Sequence, residues 1–173
     1  MSELREPKPV KLFIGLIFCD QHIARECLKK LEGEYGEFDL ESTAVPFEGT
    51  GYYSAEMGAE LYRQIYSFRK LIKREEIVQV KLFTNNLEEV FSYQGKRSVN
   101  IDPGYIAQEH LILATAKGFA HRPYLGSGVY ADLTMMFRGN EFQTLEWTYP
   151  DYGTDEMKSL FTKIRDIYVN QLK

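Results

Sequence analysis

The sequence predicts an α+β fold: a ferredoxin-like βαββαβ core, extended by an antiparallel β-meander and closed by a C-terminal helix. Three observations support this. Short apolar runs alternate with helical apolar stripes in the first half. The apolar period changes to two after Ser98, and a helical stripe returns at the end. A chain of 173 residues can bury its own core, so we expect one domain over 1–173.

The first six elements follow the order of that core. Residues 10–19 are apolar on both faces and predict a buried strand, after a flexible arm over 1–9. Asp20 is the expected N-cap of a helix that ends at Gly33 and Gly36. The next elements are a strand over 37–46, a loop over 47–58, a strand over 60–68, a helix over 74–93 and a strand over 98–101.

The second half predicts a meander. Asp102-Pro103-Gly104 predicts a turn, and strands follow over 105–117, 121–125 and 129–138, the last two joined across Gly126-Ser127-Gly128. Gly139-Asn140 predicts a two-residue hairpin turn. It sets Phe137 opposite Phe142 and Arg138 opposite Glu141. Alternation in the last strand places Val129, Ala131, Leu133, Met135 and Phe137 on one side. Thr154 begins the final helix, after an aromatic loop over 147–153.

Composition excludes several classes of protein. A net charge of −4 provides no basic field for nucleic acid. Two cysteines and three histidines lack the spacing of a metal site, and no cofactor is indicated. The chain has no Walker loop and no G-x-G-x-x-G between a strand and a helix. The longest apolar run, Leu12 to Cys19, is too short to span a bilayer, so we expect a cytoplasmic protein.

A polar stripe on the 74–93 helix is the first candidate for a binding site. Its members recur at helical spacing and share one face: Lys81, Thr84, Asn85 and Glu88. A lysine can hold an anion, and an asparagine can both donate and accept. The alternative is a solvated helix face, which such a pattern also describes.

A cationic turn is the second candidate. Lys117 and Arg122 have the chemistry to clamp a phosphate or a carboxylate. His121 exchanges protons near neutral pH, and we expect Asp102 to orient it for acid–base catalysis. Asn100 and Tyr124 lie near these residues in the sequence and complete the candidate set. The alternative is a hairpin rim with a stacked histidine and a surface ion pair.

Two tyrosine-rich loops are the third candidate, because they have the size and chemistry to wall a pocket or to form a protein interface. A third interpretation is that their rings close the core. The candidate residues of the first loop are Tyr52, Tyr53 and Glu56, and those of the second are Trp147, Tyr149 and Asp151.

Several motifs together resemble a prokaryotic family of short proteins known only as a domain of unknown function. They are Tyr-Tyr-x-x-Glu-Met-Gly at 52–58, Lys-x-x-Thr-Asn at 81–85, Asn-x-Asp-Pro-Gly-Tyr at 100–105, and Trp-Thr-Tyr-Pro-Asp-Tyr at 147–152. The resemblance implies that these polar motifs mark the family. Some of its members are labelled GTP-binding. This chain has neither a phosphate loop nor an Asn-Lys-x-Asp motif, which argues against a P-loop GTPase.

The sequence therefore predicts a protein that binds an anionic small molecule, a nucleotide or phosphoester, in a polar pocket lined by tyrosines, with hydrolase or transferase chemistry as an extension. The alternative is a non-catalytic interaction or homodimerisation module. A third hypothesis is RNA binding through the sheet face, because Lys11-Leu12-Phe13-Ile14-Gly15-Leu16 resembles the first-strand motif of RNA-recognition domains.

Overall fold

The computed structural model describes residues 3–48, 53, 56–58 and 60–173. Three α-helices can be delimited there: α1 (Gln21–Tyr35), α2 (Ile77–Val90) and α3 (Asp155–Gln171). The strands are β1 (Val10–Phe18), β2 (Phe38–Glu41), β3 (Val45–Pro46), β4 (Tyr62–Ile72), β5 (Ser92–Tyr93), β6 (Lys96–Arg97), β7 (Val99–Ile106), β8 (His110–Thr115), β9 (Tyr124–Gly126), β10 (Val129–Arg138) and β11 (Glu141–Thr144). No helix in these described ranges has the length and apolar character needed to cross a membrane.

The main sheet has the strand order β11-β10-β8-β7-β1-β4-β2, and its neighbouring strands are antiparallel. β3 pairs with β4, β9 pairs with β10, and β5 and β6 form a separate hairpin. This architecture confirms the α+β class, the antiparallel extension and the C-terminal helix. The ferredoxin-like assignment of the β7-β1-β4-β2 half stays a prediction.

β1 lies in the middle of the sheet and is buried along its whole length. Its even-numbered residues, including Leu12 and Ile14, pack with α1 and α2 on what we call the first face. Its odd-numbered residues lie on the opposite, second face, where Phe13 meets Phe161 of α3 with ring centroids 5.2 Å apart. A strand that is apolar on both sides requires cover on both sides, and the helices provide it.

Local patterns predicted several elements correctly. The strand at 60–68 is present as β4, which continues to Ile72. Phe137 pairs with Phe142 and Arg138 with Glu141, as the Gly139-Asn140 turn predicts. The predicted strand over 37–46 is instead two short strands, β2 and β3.

The predicted turn at Asp102-Pro103-Gly104 is wrong, because β7 runs through it. Ile101 directs its N–H away from β1, toward Glu88 of α2. The backbone nitrogen of Pro103, two residues later in the strand, points to this same side of β7. β8 lies on that side, but it pairs with β7 only from Gly104 onward. The missing N–H of Pro103 therefore costs the sheet no ladder hydrogen bond.

The predicted alternation of the 129–138 strand is wrong beyond Leu133. Leu133 pairs with Ile112 and Met135 pairs with Leu111, so Thr134 is the extra residue of a β-bulge. The bulge exchanges the two faces of β10, and Met135 packs with α3 on the second face. Val129 remains in the core of the first face.

The predicted 74–93 helix is shorter than expected. A 3-10 turn (Arg74–Glu76) precedes α2, and α2 ends at Val90. Gln94 and Gly95 adopt φ angles of 51° and 75°, which form the turn of the β5–β6 hairpin. The local turn therefore ends the helix before Gly95.

Gly104 should not tolerate a side chain. A Cβ at this position would lie 2.6 Å from the Ile112 carbonyl oxygen and 2.6 Å from Phe13 Cζ. We expect Gly104→Ala to lower the free energy of unfolding by about 1–3 kcal/mol, as overpacking does. Gly33→Ala is the control, because nothing lies within 4 Å of a Cβ there and alanine favours a helix over glycine. Urea denaturation of both variants tests this, and equal stability of the two would contradict it.

Candidate functional site

A cleft of about 1770 Å³ lies on the second face of the sheet, beside α3. The strand register explains why polar side chains meet there. Arg63 of β4 and Asn100 of β7 lie opposite Ile17 of β1, one on each side. Asp102 of β7 lies opposite Gly15. Residues that oppose each other in an antiparallel sheet point to the same face, so three separate positions bring their polar groups together.

Arg63 is buried in this cleft, with 5% of its surface exposed. Its guanidinium carbon Cζ lies over the rings of Phe47 and Tyr152, at 4.7 and 4.8 Å from the centroids. Nη1 is 2.7 Å from Asp151 Oδ2, and Nη2 is 3.6 Å from Asp102 Oδ2. Burial disfavours the charged form, but Tyr152, Asp102 and Asp151 outweigh it and keep the pKa of Arg63 above its usual value. Arg63 therefore stays charged.

Arg63 was not among the predicted site residues, although the sequence contains a signal for it. An arginine stands between Leu61 and Ile65, at positions that alternate toward one face of a strand. A charge at an inward position is informative, because charged side chains are rarely buried without a partner.

Arg97 was also not among the predicted site residues, and it links three other polar side chains beside the cleft. Its Nε and Nη2 donate to the two carboxylate oxygens of Glu56, each at 2.8 Å. Its Nη1 donates to Glu88 at 3.1 Å and to Asn100 Oδ1 at 2.8 Å. This last bond orients the amide of Asn100, because it fixes Oδ1 toward Arg97 and so directs Nδ2 the other way.

The polar stripe of α2 contacts the edge of β7 where β7 and β8 are not paired. Their pairing begins only at Gly104. Before that residue, side chains of α2 take the place of β8 as hydrogen-bond partners of the β7 backbone. Ile101 N–H donates to Glu88 Oε1 at 2.6 Å, and Lys81 Nζ lies 3.5 Å from the Ile101 carbonyl oxygen. Lys81, Thr84 and Glu88 are buried, so this stripe is not a solvated face. Desolvation raises the pKa of Glu88, against the opposing effects of the Ile101 N–H, Lys81 and Arg97.

His121 does not lie beside Asp102, so the expected orientation of His121 by Asp102 is wrong. The carboxylate nearest to His121 in the ion pairs of the described residues is Asp132, whose Oδ1 is 3.8 Å from Nε2. The ring of His121 stacks on Trp147, with centroids 4.5 Å apart and planes 14° apart. The long-range pairing of β10 with β8 places Asp132 here, which spacing along the chain did not indicate.

Arg122 is fully engaged within the protein. It donates to Asp132 Oδ2 at 2.8 Å, to the Lys117 carbonyl at 3.0 Å and to the Tyr149 hydroxyl at 3.0 Å. These bonds tie a loop to β10 and to the aromatic segment, so Arg122 acts as a structural clamp. Tyr124 is exposed, and its hydroxyl accepts from the Gly128 N–H within the β9–β10 hairpin.

Residues from all the predicted candidate groups line the one cleft. Four come from α2 and β7: Lys81, Asn85, Asn100 and Asp102. Four come from the loops: Tyr53, Lys117, Tyr149 and Asp151. The remaining described candidates lie outside the lining: Glu56, Thr84, His121, Arg122, Tyr124 and Trp147. Tyr52 lies outside the described residues. Among the described residues, no group of three side chains has the arrangement of a metal site.

Four side chains in the lining have unused hydrogen-bonding capacity within the described part of the chain. The atoms are Arg63 Nε and Nη1, Asn100 Nδ2, Asp151 Oδ2 and Tyr152 OH, all shielded from solvent. Gly15 makes room for Tyr152, since a Cβ there would lie 2.7 Å from the hydroxyl. An unpaired buried polar group costs about 1–3 kcal/mol, so these groups lower the stability of the fold unless a further partner pairs with them.

Comparison with known proteins identifies a family without identifying an activity. A family described as a domain of unknown function (DUF4416) matches residues 8–168. The chain belongs to this family, as its motifs predicted. No curated protein and no solved structure matches the chain.

Removal of the Tyr152 hydroxyl should not harm the fold. The hydroxyl has no hydrogen-bond partner among the described residues, so Tyr152→Phe relieves a desolvation cost while the ring still packs on Phe161, at 5.6 Å between centroids. We expect the free energy of unfolding to stay the same or to rise by about 1 kcal/mol. Chemical denaturation measures this. A loss of stability would show that the hydroxyl has a structural partner.

Buried tyrosines should make the protein sensitive to alkali. Burial raises the pKa of Tyr53 to about 12 and raises the pKa values of Tyr35, Tyr66 and Tyr152 further. Unfolded tyrosines ionise near pH ~10, so above that pH the folded chain holds protons that the unfolded chain has lost. The free energy of unfolding should therefore fall as the pH rises above about 10.

The measurement is denaturation at several pH values between 8 and 11, with tyrosinate absorbance as the second signal. Lys11 has the opposite effect on the pH dependence of the free energy of unfolding, because burial lowers its pKa. It is one group, however, and several tyrosines oppose it. Tyr35→Phe should reduce the slope of the free energy of unfolding against pH by the equivalent of about one proton. A free energy of unfolding that does not change over this range would contradict the expectation.

Proposed function

We propose that this protein binds an anionic small molecule in the second-face cleft, with the anionic group held by Arg63. The observation that carries the proposal is a difference among three arginines. Arg97 and Arg122 use their guanidinium nitrogens in hydrogen bonds to the protein. Arg63 has a buried Nε without such a bond. A nucleotide or another phosphoester has the oxygen acceptors to fill this place.

The packing around Arg63 determines how an anion can approach. Phe47 and Tyr152 pack on the guanidinium, with ring centroids 4.7 and 4.8 Å from Cζ, and an anion binds best in the guanidinium plane, where the N–H groups point. Asp151 forms an ion pair with Nη1 at 2.7 Å that lacks hydrogen-bond geometry, whereas Asp102 is 3.6 Å from Nη2, beyond a hydrogen bond. The edge formed by Nε and Nη2 therefore suits two oxygens of one anion. Because Nε is shielded from solvent, binding includes a movement of the covering side chains.

Asn100 and Lys81 support the same ligand. Asn100 Nδ2 is a donor whose orientation is set by Arg97. Lys81 is buried in the lining, and its hydrogen bond to the Ile101 carbonyl is long at 3.5 Å. Asp102 lines the cleft and His121 does not, so a hydrolysis or transfer reaction at this site would depend on Asp102 as the acid or base.

A cytoplasmic location is part of the proposal. Cys19 is exposed and Cys27 is buried, and both are free thiols. This agrees with a reducing compartment. Burial raises the pKa of Cys27 to about 12, so Cys27 is an inert core residue and not a nucleophile.

A protein-interaction surface is the second candidate function, and one observation favours it. Phe119, Tyr124 and Leu125, which lie in or just before β9, expose 69%, 62% and 40% of their surface. RNA binding through β1 has no such support, because Phe13 lies under α3 with no exposed surface. Recognition through stacked bases requires an accessible ring.

Arg63→Lys should weaken anion binding while it keeps the positive charge. Lysine has no planar fork, so we expect the Kd for AMP to rise at least tenfold, about 1.4 kcal/mol. Isothermal titration calorimetry measures the Kd, after a thermal-shift screen of orthophosphate, AMP and sugar phosphates. Arg69→Lys is the matched control: Arg69 lies on the same strand and is exposed, with its Nε 3.6 Å from Glu37. Equal effects of the two substitutions would contradict a role for Arg63.

A further inference from the structure

The cleft is more acidic than a simple anion site would be. Among the described lining residues, five carry a cationic side chain and eight carry a carboxylate. Two of the carboxylates flank Arg63 directly: Asp102 and Asp151, whose side chains are 30% and 33% exposed. An anion that binds Arg63 therefore comes close to both. Like charges at such separations repel strongly in a partly buried site.

A ligand can remove this conflict if it supplies hydrogen-bond donors. An ionised carboxylate only accepts hydrogen bonds. Asp151 Oδ2 has no geometrically good hydrogen bond among the described residues, although it lies 2.7 Å from Arg63 Nη1. Donors beside the anionic group would satisfy the carboxylates and offset their repulsion.

Two uncharged polar side chains of the cleft lining, Asn100 and Tyr152, favour the same kind of ligand. Asn100 and Tyr152 expose 4% and 1% of their surface, and each has a polar atom without a partner in the described residues. Both line the cleft. An amide N–H and a phenol hydroxyl pair well with hydroxyl groups, which donate and accept at once.

We propose that the ligand is a polyhydroxylated anion, a sugar phosphate or a sugar acid, whose hydroxyls donate to Asp102 and Asp151 while its anionic group binds Arg63. This rests on the proposed function and names its ligand class. The rings of Phe47, Tyr53 and Tyr149 in the lining supply the apolar walls against which the carbon skeleton packs. A site that recognises hydroxyl groups rejects analogues that lack them.

The test is calorimetry on the full chain with ligand pairs that share an anionic group. Ribose 5-phosphate is compared with orthophosphate, and gluconate is compared with acetate. We expect at least tenfold tighter binding of the hydroxylated member of one pair, and the pair that shows it distinguishes a phosphate from a carboxylate as the bound group. Equal affinities within both pairs would overturn the inference.

Two variants make the test sharper, because they predict effects of opposite sign. Asp102→Asn and Asp151→Asn remove a negative charge and an acceptor. Each should tighten the binding of orthophosphate or acetate, since repulsion falls. Each should also shrink the preference for the hydroxylated partner by at least threefold. Asp155→Asn is the control, because the Asp155 side chain is 94% exposed. A preference that stays unchanged in both variants would overturn the inference.

The same measurements distinguish a failure of the anion proposal from a failure of the hydroxyl inference. If ribose binds as tightly as ribose 5-phosphate and Arg63→Lys changes neither Kd, the site recognises hydroxyls without an anion, and the anion proposal is wrong. If orthophosphate and ribose 5-phosphate bind equally and Arg63→Lys weakens both, the anion proposal stands and the hydroxyl inference is wrong. Thermal melting of each variant confirms that it is folded.

Discussion

The buried charge of Arg63 is the constraint on which the second face depends. A guanidinium in a sheet interior must be neutralised and packed, or the fold loses several kcal/mol. Here Asp102 comes from β7, and Asp151 and Tyr152 come from the segment before α3. Phe47 comes from the chain after β3. One side chain of β4 thus holds together segments that are far apart in sequence, and the cleft forms where they meet.

Local signals in the sequence were enough for the β10–β11 hairpin. The turn at Gly139-Asn140 and the pairing of Phe137 with Phe142 depend on neighbouring residues, so a short window contains the information. The course of the chain through Pro103 did not follow from local rules. It depends on which edge of β7 is left open, and that edge is closed by Glu88 of α2, thirteen residues earlier in the chain.

The candidate site was predicted in part for a similar reason. Lys81, Asn85, Asn100 and Asp151 have polar character that stands out in their local patterns, and the structure places all four in one cleft. Their partners did not stand out, because ion pairs such as Arg63–Asp151 join positions with no short-range relation. The residues of a site can therefore be recognised from sequence more readily than the pairs that they form.

Arg63, Arg97 and Arg122 differ in how many of their guanidinium nitrogens form hydrogen bonds to the protein. A guanidinium whose nitrogens all bond to protein has less capacity left for a ligand, and its removal costs stability, as expected for Arg97 and Arg122. Arg63 is more deeply buried than either, yet its hydrogen bonding is incomplete. The ion pairs of Arg63 with Asp102 and Asp151 join distant segments, but they leave its Nε without a partner. Asn100 and Tyr152 have the same deficit within the described residues, and the ligand that we propose would supply the missing hydrogen bonds to all three.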